Sequence, residues 1–175
     1  MEPNERVEVA IRRINESDDL VALTELLHRA YAELARMGFR YTATYQSPEI
    51  TKNRCRAGTC LVAETDGKTV GTVTYYSPEQ TEHSEWYDRP EVSSFGQFGV
   101  DPSHQGRGIG SRLMDEVERL ARESGAEEIA CDTAEGATHL IELYGRRGYR
   151  LVGTVNWRDT NYVSVVLSKD LRSMT

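Results

Sequence analysis

The sequence is poor in the features that settle a protein's class at a glance. It has three cysteines, Cys55, Cys60 and Cys131, and five prolines in 175 residues. An odd cysteine count with no recurrent spacing gives neither a disulfide framework nor a zinc site. The expectation is three small buried thiols in a reducing, cytoplasmic setting. The four histidines also lack ligand spacing, so no metal is expected. No run approaches the roughly 18 apolar residues of a membrane span, and the opening MEPNERVEVAIRR lacks the apolar middle of a secretory signal, so no membrane partner is expected. Positive charge is in deficit. The chain carries 21 Lys and Arg against 28 Asp and Glu, a formal net charge of −7, which argues against nucleic acid as a general partner. There is no internal repeat and no low-complexity linker, and the length suits one domain, residues 1–175.

What is present is a regular alternation of strand and helix patterns. Val7, Val9 and Ile11 alternate in a strand over 7–14. Ser17 is expected to cap a helix opened by Asp18 and Asp19, with Leu20, Leu23, Leu27, Ala30, Tyr31 and Leu34 on one face and Gly38 at its end. Ser47-Pro48 opens a short helix that Gly58 closes. Residues 59–78 form a hairpin about Asp66-Gly67. A polar, aromatic-tipped loop over 77–91 leads to a strand over 92–100 containing two glycines, Gly96 and Gly99. A helix follows from about 107 to 124, with Ile109, Leu113, Val117, Leu120 and Ala121 on its apolar face and Gly125 as its stop. Then come a strand at 128–133, a short helix ending near Gly148, and closing strands at 149–155 and 161–168, the last with Val163, Val165 and Leu167 on one face. The order β-α-α-β-β-β-α-β-α-β-β predicts an α/β (α+β) fold, a mixed sheet of about seven strands flanked by about four helices.

The most informative stretch is Gln105-Gly106-Arg107-Gly108-Ile109-Gly110, placed where that longer helix starts. A helix start leaves N–H groups without partners and carries partial positive charge. Glycines remove side chains that would hold a ligand away from the backbone, and the combination can seat a phosphate. Arg107 and Arg112 add charge. The competing reading is structural: glycines that sharpen a strand-to-helix turn, with Arg107 solvated. The spacing is not the G-x-G-x-x-G of a dinucleotide fold, and no Lys-Ser/Thr follows as in a Walker loop.

The pattern Gln105-x-x-Gly108-x-Gly110 does fit Gln/Arg-x-x-Gly-x-Gly/Ala, and by it the chain resembles the GNAT superfamily of N-acetyltransferases. FGVDPSHQGRGIGSRLMDEVERLARESGAEEIACDT is similar to the strand, loop, helix and strand of that family. LYGRRGYRLVG is similar to its next signature, with Tyr144 as the tyrosine, Gly148 the glycine and Tyr149 the final aromatic. Leu143 stands where an aromatic is usual, and Ala137 where an Asn is frequent. The likeness is strongest over 95–153.

The resemblance implies transfer of an acetyl group from acetyl-CoA, as co-substrate, to a primary amine of a small molecule or peptide. It places the cofactor on Phe98, Gly99 and Val100, along which the pantetheine arm pairs, and on Gln105, Gly106, Arg107, Gly108, Ile109, Gly110 and Ser111, which hold the pyrophosphate. The Phe98 N–H would stabilise the oxyanion. Tyr144 would donate a proton to the departing thiolate. A protonated amine cannot attack, so a base is wanted. No carboxylate lies inside 92–100, which leaves Glu91 at the strand entrance, or Glu82, His83 and Glu85 in the preceding loop. Arg146 and Arg147 are either phosphate contacts or a solvated turn. The aromatic residues Tyr31, Tyr41, Tyr45, Tyr75, Tyr76, Trp86 and Tyr87 are candidates for an amine pocket by cation–π contact, or for ordinary packing. A homodimer is the assembly the resemblance suggests. A non-catalytic acyl-CoA sensor of the same fold is the alternative, since it would keep the loop without needing Tyr144.

Overall fold

The computed structural model describes residues 8–81 and 84–172. Its strands are β1 (Ala10–Arg13), β2 (Thr59–Thr65), β3 (Lys68–Tyr76), β4 (Val92–Val100), β5 (Glu128–Ala134), β6 (Arg150–Val155) and β7 (Ser164–Asp170). Its helices are α1 (Leu20–Ala30), α2 (Ala32–Arg36), α3 (Pro48–Arg56), α4 (Ile109–Glu123) and α5 (Thr138–Arg146). The strands make one seven-stranded sheet in the order β1-β2-β3-β4-β5-β7-β6, antiparallel throughout except for the parallel pair β4–β5.

Most local signals act as expected, and the exceptions have physical causes. Asp19, not Ser17, caps α1: its Oδ1 accepts from the Ala22 N–H at 3.0 Å, while the Ser17 hydroxyl donates to Asn15. Asp18 is drawn away to the guanidinium of Arg12. The first long helix breaks at Tyr31, whose backbone (φ −100, ψ 3) leaves the helical region, so α1 and α2 are separate. Ser47 caps α3 as predicted. The long helix begins at Ile109 because Gly108 takes a left-handed conformation, φ 81. Strand β7 begins at Ser164, later than predicted, and Val163 stays outside it and 37% exposed. Both faces of β7 are covered, Leu167 packing in the cluster under α4 and Val166 in the cluster under Tyr87, and Val165, Val166 and Leu167 are all buried.

The two faces of the sheet have separate cores. On one, α4 presses Ile109, Leu113, Met114, Val117 and Ala121 against Val73, Tyr75, Phe95, Ile129 and Leu167, with Tyr144 and Tyr149 completing the cluster. On the other, α1 and α3 pack Leu23 and Cys55 against Cys60 of β2, and Tyr87 covers Val92, Ala130 and Val166. All three cysteines are buried and unpaired. Glu118 of α4 is buried and forms ion pairs with Arg147, at 2.6 Å, and with Lys169 of β7. These contacts tie α4, the end of α5 and strand β7 together.

Candidate active site

The parallel pair β4–β5 is in register only over Val92–Ser94 and Glu128–Ala130. Beyond Ser94 the two strands part, and from Cys131 on β5 pairs only with β7. The cause is on β4. Thr72 of β3 faces Gly99 while Thr74 faces Gly96, so Gln97 and Phe98 together oppose Val73. This is a bulge, which bends a strand and re-aims its side chains. It falls between the two glycines, on Gln97, which takes a left-handed φ of 48 that is unusual without glycine.

Buried polar contacts hold that conformation. The Gln97 side chain donates to the Cys55 sulfur and accepts from Gln46 Nε2 at 2.9 Å. Gln46 Nε2 also donates to Thr51, and Gln46 Oε1 accepts from Arg54 Nη1 at 2.8 Å. Burial of such groups is tolerable only when they are hydrogen-bonded.

The split opens a cavity of about 1000 Å³ that passes through the sheet. Phe95, Leu140 and Tyr144 line it from the α4–α5 side, and Tyr31, Arg54, Tyr76, Tyr87 and Asp132 from the other. Tyr144 packs between Phe95 and Tyr149. Its hydroxyl has no hydrogen-bond partner among the described residues, and burial raises its pKa well above the ordinary phenol value. It therefore holds its proton where the cavity reaches it. Tyr31 donates its hydroxyl to the Phe98 carbonyl at 2.7 Å, fixing the bulge from α1.

At the end of β4 the glycine turn leads into α4. Gly106 and Gly108 both have positive φ, 79 and 81, with open space around each. Gly110 is different: it is helical, and a Cβ there would touch the Phe98 ring at 3.4 Å. No side chain caps α4, so its first N–H groups stay available for an anion. Gln105 donates to the Val100 carbonyl at 3.2 Å, bracing the turn against the strand. Arg107 is exposed and Ile109 is buried as an anchor. Ser111 accepts from Arg147 Nη1 at 2.8 Å. Arg147 is otherwise occupied by Asp115 and Glu118.

The split thus brings together Phe98 and Tyr144, with Gly99, Val100 and the 105–111 turn continuing from it. It does not include Glu91. That residue precedes β4, its carbonyl accepts from the N–H groups of Glu127 and Glu128, and it does not line the cavity. Seven residues of strand, about 20 Å, separate it from Phe98. Glu85 is exposed and outside the cavity as well. Glu82 and His83 lie outside the described residues. Of the aromatic candidates, Tyr31, Tyr41, Tyr76 and Tyr87 line the cavity, whereas Tyr45, Tyr75 and Trp86 do not. Tyr75 is bonded to Ser124 on the α4 side. Sequence reasoning passed over Arg54, Asp132, Trp157 and Tyr162, all of which line the cavity. Asp132 accepts from Tyr87 at 2.9 Å and from Trp157 at 2.6 Å, and burial raises its carboxyl above the usual range against the pull of those bonds. Among the described residues no group of side chains could hold a metal ion.

Comparison with known proteins agrees with this geometry. Residues 20–149 match the model of the Acetyltransferase (GNAT) family. The chain is 28% identical over 159 residues to S-(2-succino)cysteine N-acetyltransferase of Bacillus subtilis (strain 168), covering 88% of this chain and 92% of that protein. It is 24% identical over 145 residues to the S-alkylcysteine N-acetyltransferase of the same organism, covering 81% and 79%. Among solved structures, an N-acetyltransferase from Staphylococcus aureus Mu50 superposes with a TM-score of 0.71 at 20% identity, covering 94% of this chain and 99% of that one. A GNAT family acetyltransferase from Elizabethkingia anophelis with acetyl-CoA bound superposes with a TM-score of 0.65 at 15% identity, covering 93% and 97%. With the family model spanning most of the chain, this protein belongs to the GNAT acetyltransferase family and is an acetyl-CoA-dependent N-acetyltransferase.

Proposed function

We propose that the acetyl group passes from acetyl-CoA to a small-molecule amine inside the split between β4 and β5, by direct attack on the thioester. The observation that carries this reading is the unbonded Tyr144 hydroxyl in a cavity bounded by the bulged, unpaired stretch of β4. The pyrophosphate sits on Gln105–Ser111, where Gly106 and Gly108 permit the left-handed turn and the uncapped start of α4 supplies N–H donors. The pantetheine arm runs along Phe98, Gly99 and Val100, which lack a strand partner on the β5 side.

The amine attacks in its neutral form. As its lone pair bonds to the carbonyl carbon, negative charge grows on the carbonyl oxygen, where the Phe98 N–H stabilises it. The C–S bond then breaks, and the sulfur takes the proton that Tyr144 holds. The amine's lost proton restores the phenol.

The reading is tested by a thiol-release assay with acetyl-CoA against a panel of amines, alongside calorimetry of acetyl-CoA binding. Amine-dependent release with acetyl-CoA bound is the expected result. Absence of acetyl-CoA binding would overturn the reading. Residence in the cytoplasm and assembly as a homodimer belong to the same proposal and are checked by fractionation and light scattering.

A further inference from the structure

The cavity holds two opposite charges that the acetyl-transfer steps leave unused. Asp132 lies two places beyond Ala130, the last β5 residue paired with β4, and Gly96 lies two places beyond its partner Ser94. Side chains alternate along strands and paired residues share a face, so Asp132 and Gly96 face the same side, that of α3 and Tyr87. Arg54 reaches over Gly96 from α3: its Nη2 lies 3.7 Å from where a Cβ on Gly96 would stand. Its Nη1 is held by Gln46 Oε1 at 2.8 Å. Among the described residues no ion pair joins Arg54 to any carboxylate, Asp132 included. Across the split, the donors Tyr87 and Trp157 each take a different oxygen of Asp132 and so fix the plane of its carboxylate. Each oxygen keeps acceptor capacity.

We infer that this pair selects an α-amino acid as the acceptor, Asp132 receiving its ammonium group and taking from it the proton that must leave before the neutral amine attacks, and Arg54 receiving its carboxylate. The inference rests on the acetyl-transfer reading of the same site. Both groups have neutral hydrogen-bond partners but no ion pair with each other, and an acceptor carrying both opposite charges on one carbon supplies a counter-charge to each at once. An ammonium group seated at Asp132 also favours the ionised carboxylate that burial disfavours. Arg54 offers a planar fork suited to a carboxylate, and Gln46 orients it. The facing rings of Tyr31, Tyr41 and Tyr162, with centroids 5.4 and 4.9 Å apart along the row, give an apolar wall for the acceptor's side chain.

The test uses the whole chain, acetyl-CoA and three matched probes: S-methylcysteine, its carboxamide, and the decarboxylated amine. The free amino acid should exceed the other two in kcat/KM by about 10- to 100-fold, the range of a charge-assisted hydrogen bond. Arg54→Gln should raise KM for S-methylcysteine by a similar factor and lower the preference for the free amino acid over the decarboxylated amine about as much, with Arg54→Lys recovering part of the loss. Asp132→Asn should weaken all three probes while acetyl-CoA affinity, read by calorimetry, stays unchanged. Equal turnover of acid, carboxamide and amine would overturn the inference, as would failure of the free amino acid with acetyl-CoA bound. Loss of acetyl-CoA binding by the native protein would instead remove the acetyl-transfer reading beneath it.

Discussion

At the scale of single residues, the three glycines of QGRGIG are not equivalent. Gly106 and Gly108 take positive φ, whereas Gly110 is helical and a Cβ there would only meet the Phe98 ring at contact distance. Gly108→Ala therefore costs about 1–2 kcal/mol of left-handed strain and should weaken acetyl-CoA binding by about tenfold in calorimetry. Tyr144→Phe keeps the ring between Phe95 and Tyr149 but removes the proton donor. It should lower kcat by about 100-fold, the lower end of general acid contributions, with KM for acetyl-CoA nearly unchanged. A kcat that survives the substitution across the pH range would remove Tyr144 from the reaction. These residues were legible because glycine-rich turns and the tyrosine signature are local patterns. Asp132 was not, since EIACDT also carries Glu128 and Thr133 and nothing local sets Asp132 apart from them. Only the divergence of β5 from β4 shows that its side of the sheet is open. Glu91 shows the converse: nearness in sequence to β4 does not bring it to the cavity.

At the scale of elements, the order of strands and helices was legible and the bulge was not. Gly96 and Gly99 advertised an irregularity in β4, but it falls on Gln97, whose strained backbone is held by contacts from Gln46 and Cys55, distant in sequence. No local pattern encodes such a network. Gln46→Leu should strand the partners Thr51, Gln97 and Arg54 and destabilise the fold by about 1–3 kcal/mol in urea unfolding. Its effect on kcat/KM should exceed that of a remote substitution of equal stability cost, because Arg54 and the bulge both lose support. Glu118→Ala is a second elemental test. It leaves Arg147 and Lys169 without their buried partner and should cost about 3 kcal/mol, while the split, which these residues do not line, keeps its shape. The start of α1 moved because Asp19, not Ser17, supplies its cap.

At the scale of the molecule, α1 is fastened to the end of β4 by Arg29 and Asp101, 2.9 Å apart. Burial alone would raise the Asp101 carboxyl, but Arg29 and the Ser103 hydroxyl and N–H outweigh it and bring the pKa down from 3.8 to about 2. A carboxylate depressed in the folded state contributes stability that is complete above its unfolded pKa and is lost as pH falls through its folded one. Unfolding midpoints should therefore drop between pH 3.8 and about 2, and Asp101→Asn should flatten that part of the profile.

The cavity that passes through the sheet has a consequence for the order of events. Walls from both faces allow donor and acceptor to be present together, each entering without the other leaving. Cys131, the thiol beside the split, is buried with its pKa raised well above the ordinary value, a poor station for a covalently parked acetyl group. Initial-rate plots at several fixed concentrations of one substrate should therefore intersect, where a relay through the enzyme would give parallel lines.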